Sequence, residues 1–125
     1  MDYISDDQFN NLITKAMNEL PQDYISSMKN VAIVMADEPT DQQKEELRLR
    51  HNNLLLGLFE GVPRTMQTGN EAGLIPGKIT LFKNQLQMVA RDEASLFEQI
   101  KRTLWHEIAH YYGLNHDDIN RLEQA

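Results

Sequence analysis

Residues 93–116 read EASLFEQIKRTLWHEIAHYYGLNH and predict both a long helix and a metal site. At about 100° of rotation per residue, one stripe of this helix is apolar. The stripe consists of Phe97, Ile100, Leu104, Ile108 and Tyr111. His106 and His110 fall on the opposite side and are one turn apart, so that their two imidazoles can reach the same ion. We therefore expect a helix from about Glu93 to Tyr112 that buries the stripe and presents a histidine pair.

The end of this segment has the spacing of a zinc-binding pattern, HExxHxxGxxH. The five fixed positions are His106, Glu107, His110, Gly113 and His116. Gly113 can adopt the left-handed conformation that ends a helix, and His116 can then return to the ion as a third ligand. Three protein nitrogens leave a fourth tetrahedral position for water, as in catalytic zinc sites.

Glu107 has the chemistry of a general base at such a site. Zinc lowers the pKa of a bound water from about 15.7 to about 7, and Glu107 can take the proton of that water. Nearby carboxylates commonly orient ligating histidines, and Asp117, Asp118 and Glu98 are candidates for this role. The sequence thus predicts zinc held by His106, His110 and His116, with Glu107 as the catalytic residue.

Size, charge and composition restrict the possible functions. The chain has 125 residues and predicts a single domain over 1–125. It contains no cysteine, which excludes disulfides and thiolate metal sites. A net charge of −7 argues against nucleic acid as a partner. The chain begins without a basic, apolar leader and has no apolar run long enough for a bilayer, so we expect a cytoplasmic protein without membrane contact.

The remaining segments predict an α+β fold, because helical and strand patterns alternate loosely along the chain. Ser5 and Gln8 have the spacing of a capping box, and the helix that they start ends before Pro21. The other expected elements are a buried strand at Val31–Ala36, an exposed helix or ordered loop at 40–53, an irregular strand or close turn at 54–63, a half-buried strand at 78–83 and a short helix near 86–89.

Three stretches carry a resemblance to a known family. They are LLGLFEGVPRT at 55–65, LIPGKITLFK at 74–83 and RDEASLFEQIKRTLWHEIAHYYGL at 91–114. Together with HEIAHYYGLNHDD at 106–118, they resemble a bacterial family of small zincin-like metallopeptidases with a minimal matrix-metalloprotease-like domain. The resemblance covers residues 54–118 well, and the first 50 residues more loosely.

This resemblance implies a compact zincin-like domain in which a small sheet packs on the C-terminal active-site helix. It implies zinc binding by His106, His110 and the residue at position 116, catalysis by Glu107, and a peptide or protein substrate. Many members of that family have aspartate at the position of His116, and the histidine here instead resembles the metzincin form. Metzincins also place a methionine turn after the third ligand, and the nine residues after His116 contain no methionine.

The sequence leaves three readings of the function open. The first is a zinc metallopeptidase that cleaves peptide bonds. The second is an endoribonuclease-type hydrolase, since three histidines spaced HxxxHxxxxxH also occur in small bacterial ribonucleases. The third is a zinc-binding module without turnover on a protease-like scaffold. Glu107 and the acidic net charge favour the peptidase over the ribonuclease. Nothing in the sequence predicts the oligomeric state.

Overall fold

The structure is a computed structural model that describes residues 2–48, 54–66 and 76–114. His51, His116, Asp117 and Asp118 therefore lie outside the described residues. The elements are α1 (Asp6–Glu19), α2 (Gln22–Ser27), β1 (Val31–Ala36), α3 (Asp41–Arg48), β2 (Gly57–Glu60), a 3₁₀ turn (Arg64–Met66), β3 (Gly77–Phe82), α4 (Lys83–Val89) and α5 (Glu93–Tyr111). The predicted α+β class is confirmed.

The three strands form one mixed sheet in the order β1-β3-β2. β3 is parallel to β1 and antiparallel to β2, and Ile79 is the partner of both Ile33 and Phe59. Two burial predictions were wrong, because burial depends on a strand's position in the sheet. β3, expected to be half-buried, lies between the other strands and is buried from Ile79 to Phe82. β1, expected to be buried, lies at an edge, and Ala32 and Val34 are exposed.

The core lies between α1, α5 and one face of the sheet. All five residues of the predicted α5 stripe are buried, and all of them except Tyr111 belong to one core cluster with Phe9, Ile13 and Ala16 of α1. Each large apolar side chain buried in this way stabilises the fold by about 1.5–3 kcal/mol. Capping boxes start both helices, at Ser5 as predicted and at Asp92 for α5. None of the helices in the described part of the chain is long and apolar enough to cross a membrane.

β2 packs closely on α5 because it begins with a glycine. A Cβ atom at Gly57 would lie 2.6 Å from Cγ2 of Thr103, so no larger residue fits without movement. Gly61 follows the strand with a φ of +146°, a backbone conformation that residues other than glycine rarely adopt. The segment 54–63, which predicted either an irregular strand or a close turn, is thus a short strand in close contact with the helix.

Candidate metal site on helix α5

The C-terminal half of α5 brings two of the predicted zinc ligands together. The ring centroids of His106 and His110 are 4.6 Å apart, with an angle of 52° between the ring planes. His106 is half-buried and His110 is exposed, so this pair lies at the boundary between protein and solvent. The described ranges contain no group of three or more candidate ligands, and the predicted third ligand, His116, is outside them.

Glu107 is buried next to this pair, with only 6% of its surface exposed. Its Oε1 atom accepts a hydrogen bond of 2.9 Å from the main-chain N–H of Phe59 in β2. The same Oε1 lies 3.7 Å from Nδ1 of His110, which is too long for a good hydrogen bond. Burial raises the pKa of Glu107 from 4.5 to about 7, and the bond from Phe59 lowers it in part. This carboxyl group can therefore gain or lose a proton near neutral pH.

The N–H of Phe59 is held in place by the packing of its own ring. The ring meets Tyr111 of α5 edge-on, with centroids 5.8 Å apart. On its other sides, a Cβ atom at either Gly61 or Gly77 would lie 3.1 Å from the ring, so the two glycines make room for it. The sequence predicted close backbone approach in this region but did not identify Phe59 as the partner of Glu107.

Gly113 terminates helix α5, two residues after its last helical residue, as the sequence predicted. Gly113 has a φ of +74°, and its N–H donates to the carbonyl of His110 while that of Leu114 donates to Ala109, both at 3.0 Å. This is the Schellman arrangement, which satisfies the last carbonyls of the helix. A Cβ atom at Gly113 would lie 2.5 Å from Oγ1 of Thr65. The 3₁₀ turn therefore packs directly on the end of the helix.

An aromatic cluster surrounds the core side of the same helix end. Trp105 and Tyr111 are buried, which confirms the predicted place of Tyr111 in the apolar stripe. Tyr112 donates a 2.6 Å hydrogen bond to the carbonyl of Tyr24 in α2 and stacks edge-on against its ring. The guanidinium of Arg64 lies 5.6 Å from the Tyr112 ring centroid. These contacts fix the last turn of α5, from which His110 projects.

The chemistry of these side chains suits zinc. Imidazole nitrogen is a common zinc ligand, and two histidines four residues apart on a helix can share one ion. The distance between the two rings agrees with that arrangement. A buried carboxyl group beside a histidine pair is also typical of sites where a proton must be moved, because burial keeps its pKa close to neutral.

The burial of Glu107 predicts how the stability of the metal-free protein depends on pH. The pKa of Glu107 is higher in the folded state, at about 7, than its ordinary value of 4.5, so the folded state binds more protons between these values. The free energy of unfolding therefore falls as pH rises through this window, by up to about 3 kcal/mol from this group. Glu107→Gln removes this loss, because glutamine stays neutral and its oxygen can still accept from Phe59.

We expect the metal-free Glu107→Gln variant to unfold at a higher urea concentration than wild type at pH 8. At pH 4.5 the difference between the free energies of unfolding of the two proteins should be smaller than at pH 8, by about 2–3 kcal/mol. Urea unfolding at several pH values with a chelator present measures this. Glu98→Gln, a change at an exposed glutamate of the same helix, is the control and should show little effect. A difference for Glu107→Gln that does not vary with pH would contradict the account.

Comparison with known proteins identifies the family. No curated protein matches the chain. Among solved structures, a conserved hypothetical protein from Thermo thermophilus is similar, with a TM-score of 0.54 and 18% identity over 87% of this chain and 94% of that one. At this identity the likeness concerns the fold alone. The zincin-like metallopeptidase family matches residues 28–125, which include α5 and the complete histidine motif. The chain therefore belongs to the zincin-like metallopeptidase family.

Proposed function

We propose that this protein is a zinc-dependent metallopeptidase that cleaves peptide bonds in a peptide or protein substrate. His106, His110 and His116 would hold the metal, in the metzincin form of the motif, and Glu107 would be the general base. The observation that carries the proposal is the position of Glu107, which is buried on α5 with its Oε1 3.7 Å from Nδ1 of His110. Membership of a family of zincin-like metallopeptidases supports it.

When bound, zinc would polarise a substrate carbonyl and lower the pKa of a water molecule. Glu107 would accept a proton from the attacking water and later return it to the leaving amine. A pKa of about 7 suits both steps, because such a group takes and gives a proton readily near neutral pH. Among the described residues, His106 is half-buried and His110 is exposed, so a substrate would reach this part of α5 from solvent.

The test is digestion of a mixed peptide library by zinc-loaded protein, with products identified by mass spectrometry. We expect new termini to appear, to disappear when a chelator removes the metal, and to return when zinc is added. The library makes this test independent of the natural substrate and of the cytoplasmic location, which we also propose. Protein that holds zinc but cuts no peptide would contradict the proposal and favour a zinc-binding module without turnover.

A further inference from the structure

Half of the main-chain polar groups of β1 face away from the sheet. The N–H of Gly77 in β3 donates to the carbonyl of Asn30 at 2.9 Å, so the polar groups of Asn30 face β3. These groups alternate in direction along a strand, and the even-numbered residues of β1 therefore bond to β3 while the odd-numbered ones face the outer edge. None of the described strands pairs with this edge. The outward-facing residues are Val31, Ile33 and Met35.

The outer edge of β1 lacks the features that usually keep an edge strand from pairing with another chain. Such edges commonly carry a charged residue, a proline or a bulge. The six residues of β1, VAIVMA, include no charged residue and no proline, and their register with β3 is continuous. Val34 is 37% exposed on one face, and Ile33 on the other is only partly buried although it packs against the core. A second strand at this edge would cover apolar side chains on both faces.

The charges at the two ends of β1 favour a second copy of the same strand in the antiparallel direction. Lys29 precedes the strand and Asp37 follows it, and both are exposed. Neither forms an ion pair with another residue in the described part of the chain. When two copies run antiparallel, the lysine of each comes to the same end as the aspartate of the other. A parallel pair would bring like charges together, which is unfavourable.

We propose that two copies of this chain form a dimer by antiparallel pairing of their β1 strands. A register centred on Ile33 uses all the outward-facing groups, because Ile33 then bonds to Ile33 of the second copy, and Val31 bonds to Met35. Ala32 lies opposite Val34 of the second copy, in a pair without hydrogen bonds. The two sheets become one sheet of six strands with β2 at each end. Helix α5 packs on β2 and β3, and the inference does not rest on the proposed peptidase function.

The first part of the test measures the mass of the purified protein by sedimentation equilibrium. One pair of short strands is a small interface, so we expect a dissociation constant on the order of 10 μM. Lys29→Glu should weaken the dimer by about tenfold at low salt, because it places like charges at both ends of the strand pair. Adding Asp37→Lys to that variant should restore the affinity to within about threefold of wild type. Lys44→Glu, the same charge change at an exposed residue of α3, is the control and should have little effect.

The second part measures amide hydrogen exchange by NMR and needs no variant. The amides of Val31, Ile33 and Met35 should exchange several-fold more slowly in concentrated than in dilute wild-type protein, because the dimer gives them acceptors. The amides of Ala32 and Val34 bond to β3 in both states and should change much less.

The third part tests the register with cysteines, of which the native chain has none. Opposite residues in a pair without hydrogen bonds have Cα atoms about 4.5 Å apart, within the range of a disulfide. A mixture of Ala32→Cys and Val34→Cys proteins should therefore form a cross-linked dimer on mild oxidation. Either variant alone places its cysteines on a diagonal, about 7–8 Å apart, and should cross-link much less.

Three results would overturn the inference. The protein could remain a monomer up to about 0.5 mM, far above the expected dissociation constant. The outward-facing amides could be equally protected in the monomer, which would mean that the chain itself covers this edge. A dimer could form that neither protects these amides nor responds to Lys29→Glu, which would place the interface elsewhere. Zinc content and peptide cleavage affect none of these readouts, so failure here leaves the proposed function standing.

Discussion

Glu107→Gln is expected to lower peptide hydrolysis by a factor of about 10²–10⁴ while leaving the zinc content unchanged. The amide has nearly the same size as the carboxylate but cannot accept a proton from water at neutral pH. Its oxygen can still accept the N–H of Phe59, which is 2.9 Å from Oε1 in the native protein, so the fold should be kept. Zinc is proposed to bind the histidines alone, and therefore its affinity should not depend on this change.

The measurement compares cleavage of one library-derived peptide by the two proteins at matched zinc occupancy. Glu46→Gln alters an exposed glutamate of α3 and serves as the control, with activity close to wild type. Equal rates for Glu107→Gln and wild type would show that another group acts as the base or that the cleavage comes from a contaminant.

The second large effect is a loss of zinc affinity when His116, the third predicted ligand, is changed. His116→Ala should weaken zinc binding by more than the roughly 10–100-fold that is typical of losing an outer partner of a metal ligand. His116→Asp should retain more affinity, because a carboxylate oxygen coordinates zinc at about 2.0–2.2 Å, close to the distance for imidazole nitrogen. A competition titration with a chelating dye gives the dissociation constants of the three proteins.

His51→Ala is the matched control, since His51 is the one histidine of the chain outside the motif. Its zinc affinity should equal that of wild type. If His116→Ala also binds zinc as tightly as wild type, His116 is not a ligand, and the site consists of His106, His110 and other groups.

Local signals made α5 predictable. Its apolar stripe runs from Phe97 to Tyr111 of a 19-residue helix, and Gly113 occupies the position where only a residue tolerant of positive φ ends a helix easily. The relation of His106 to His110 follows from the same helical geometry, without knowledge of any other element. The capping box at Ser5 was equally clear, because it depends on two residues three positions apart.

The surroundings of Glu107 depend on a contact between residues 48 positions apart, which no local pattern reveals. Helical geometry places Glu107 near the margin of the apolar stripe, but only the sheet determines that β2 covers it. The predictions of strand burial were wrong for the same reason. Val34 and Thr80 face each other in the β1–β3 register, yet Val34 is exposed at an edge strand and Thr80 is buried in the central one. Strand order is a property of the whole fold.

Zinc binding by the histidines of the α5 motif underlies the proposed function and the effects expected at Glu107 and His116. Elemental analysis of purified protein, combined with thermal unfolding of metal-free protein before and after adding zinc, tests it most directly. We expect one zinc per chain and, with free zinc at about 100 times its dissociation constant, a rise in melting temperature on the order of 10 °C. Protein that contains no zinc and whose melting temperature does not change when zinc is added would contradict the account.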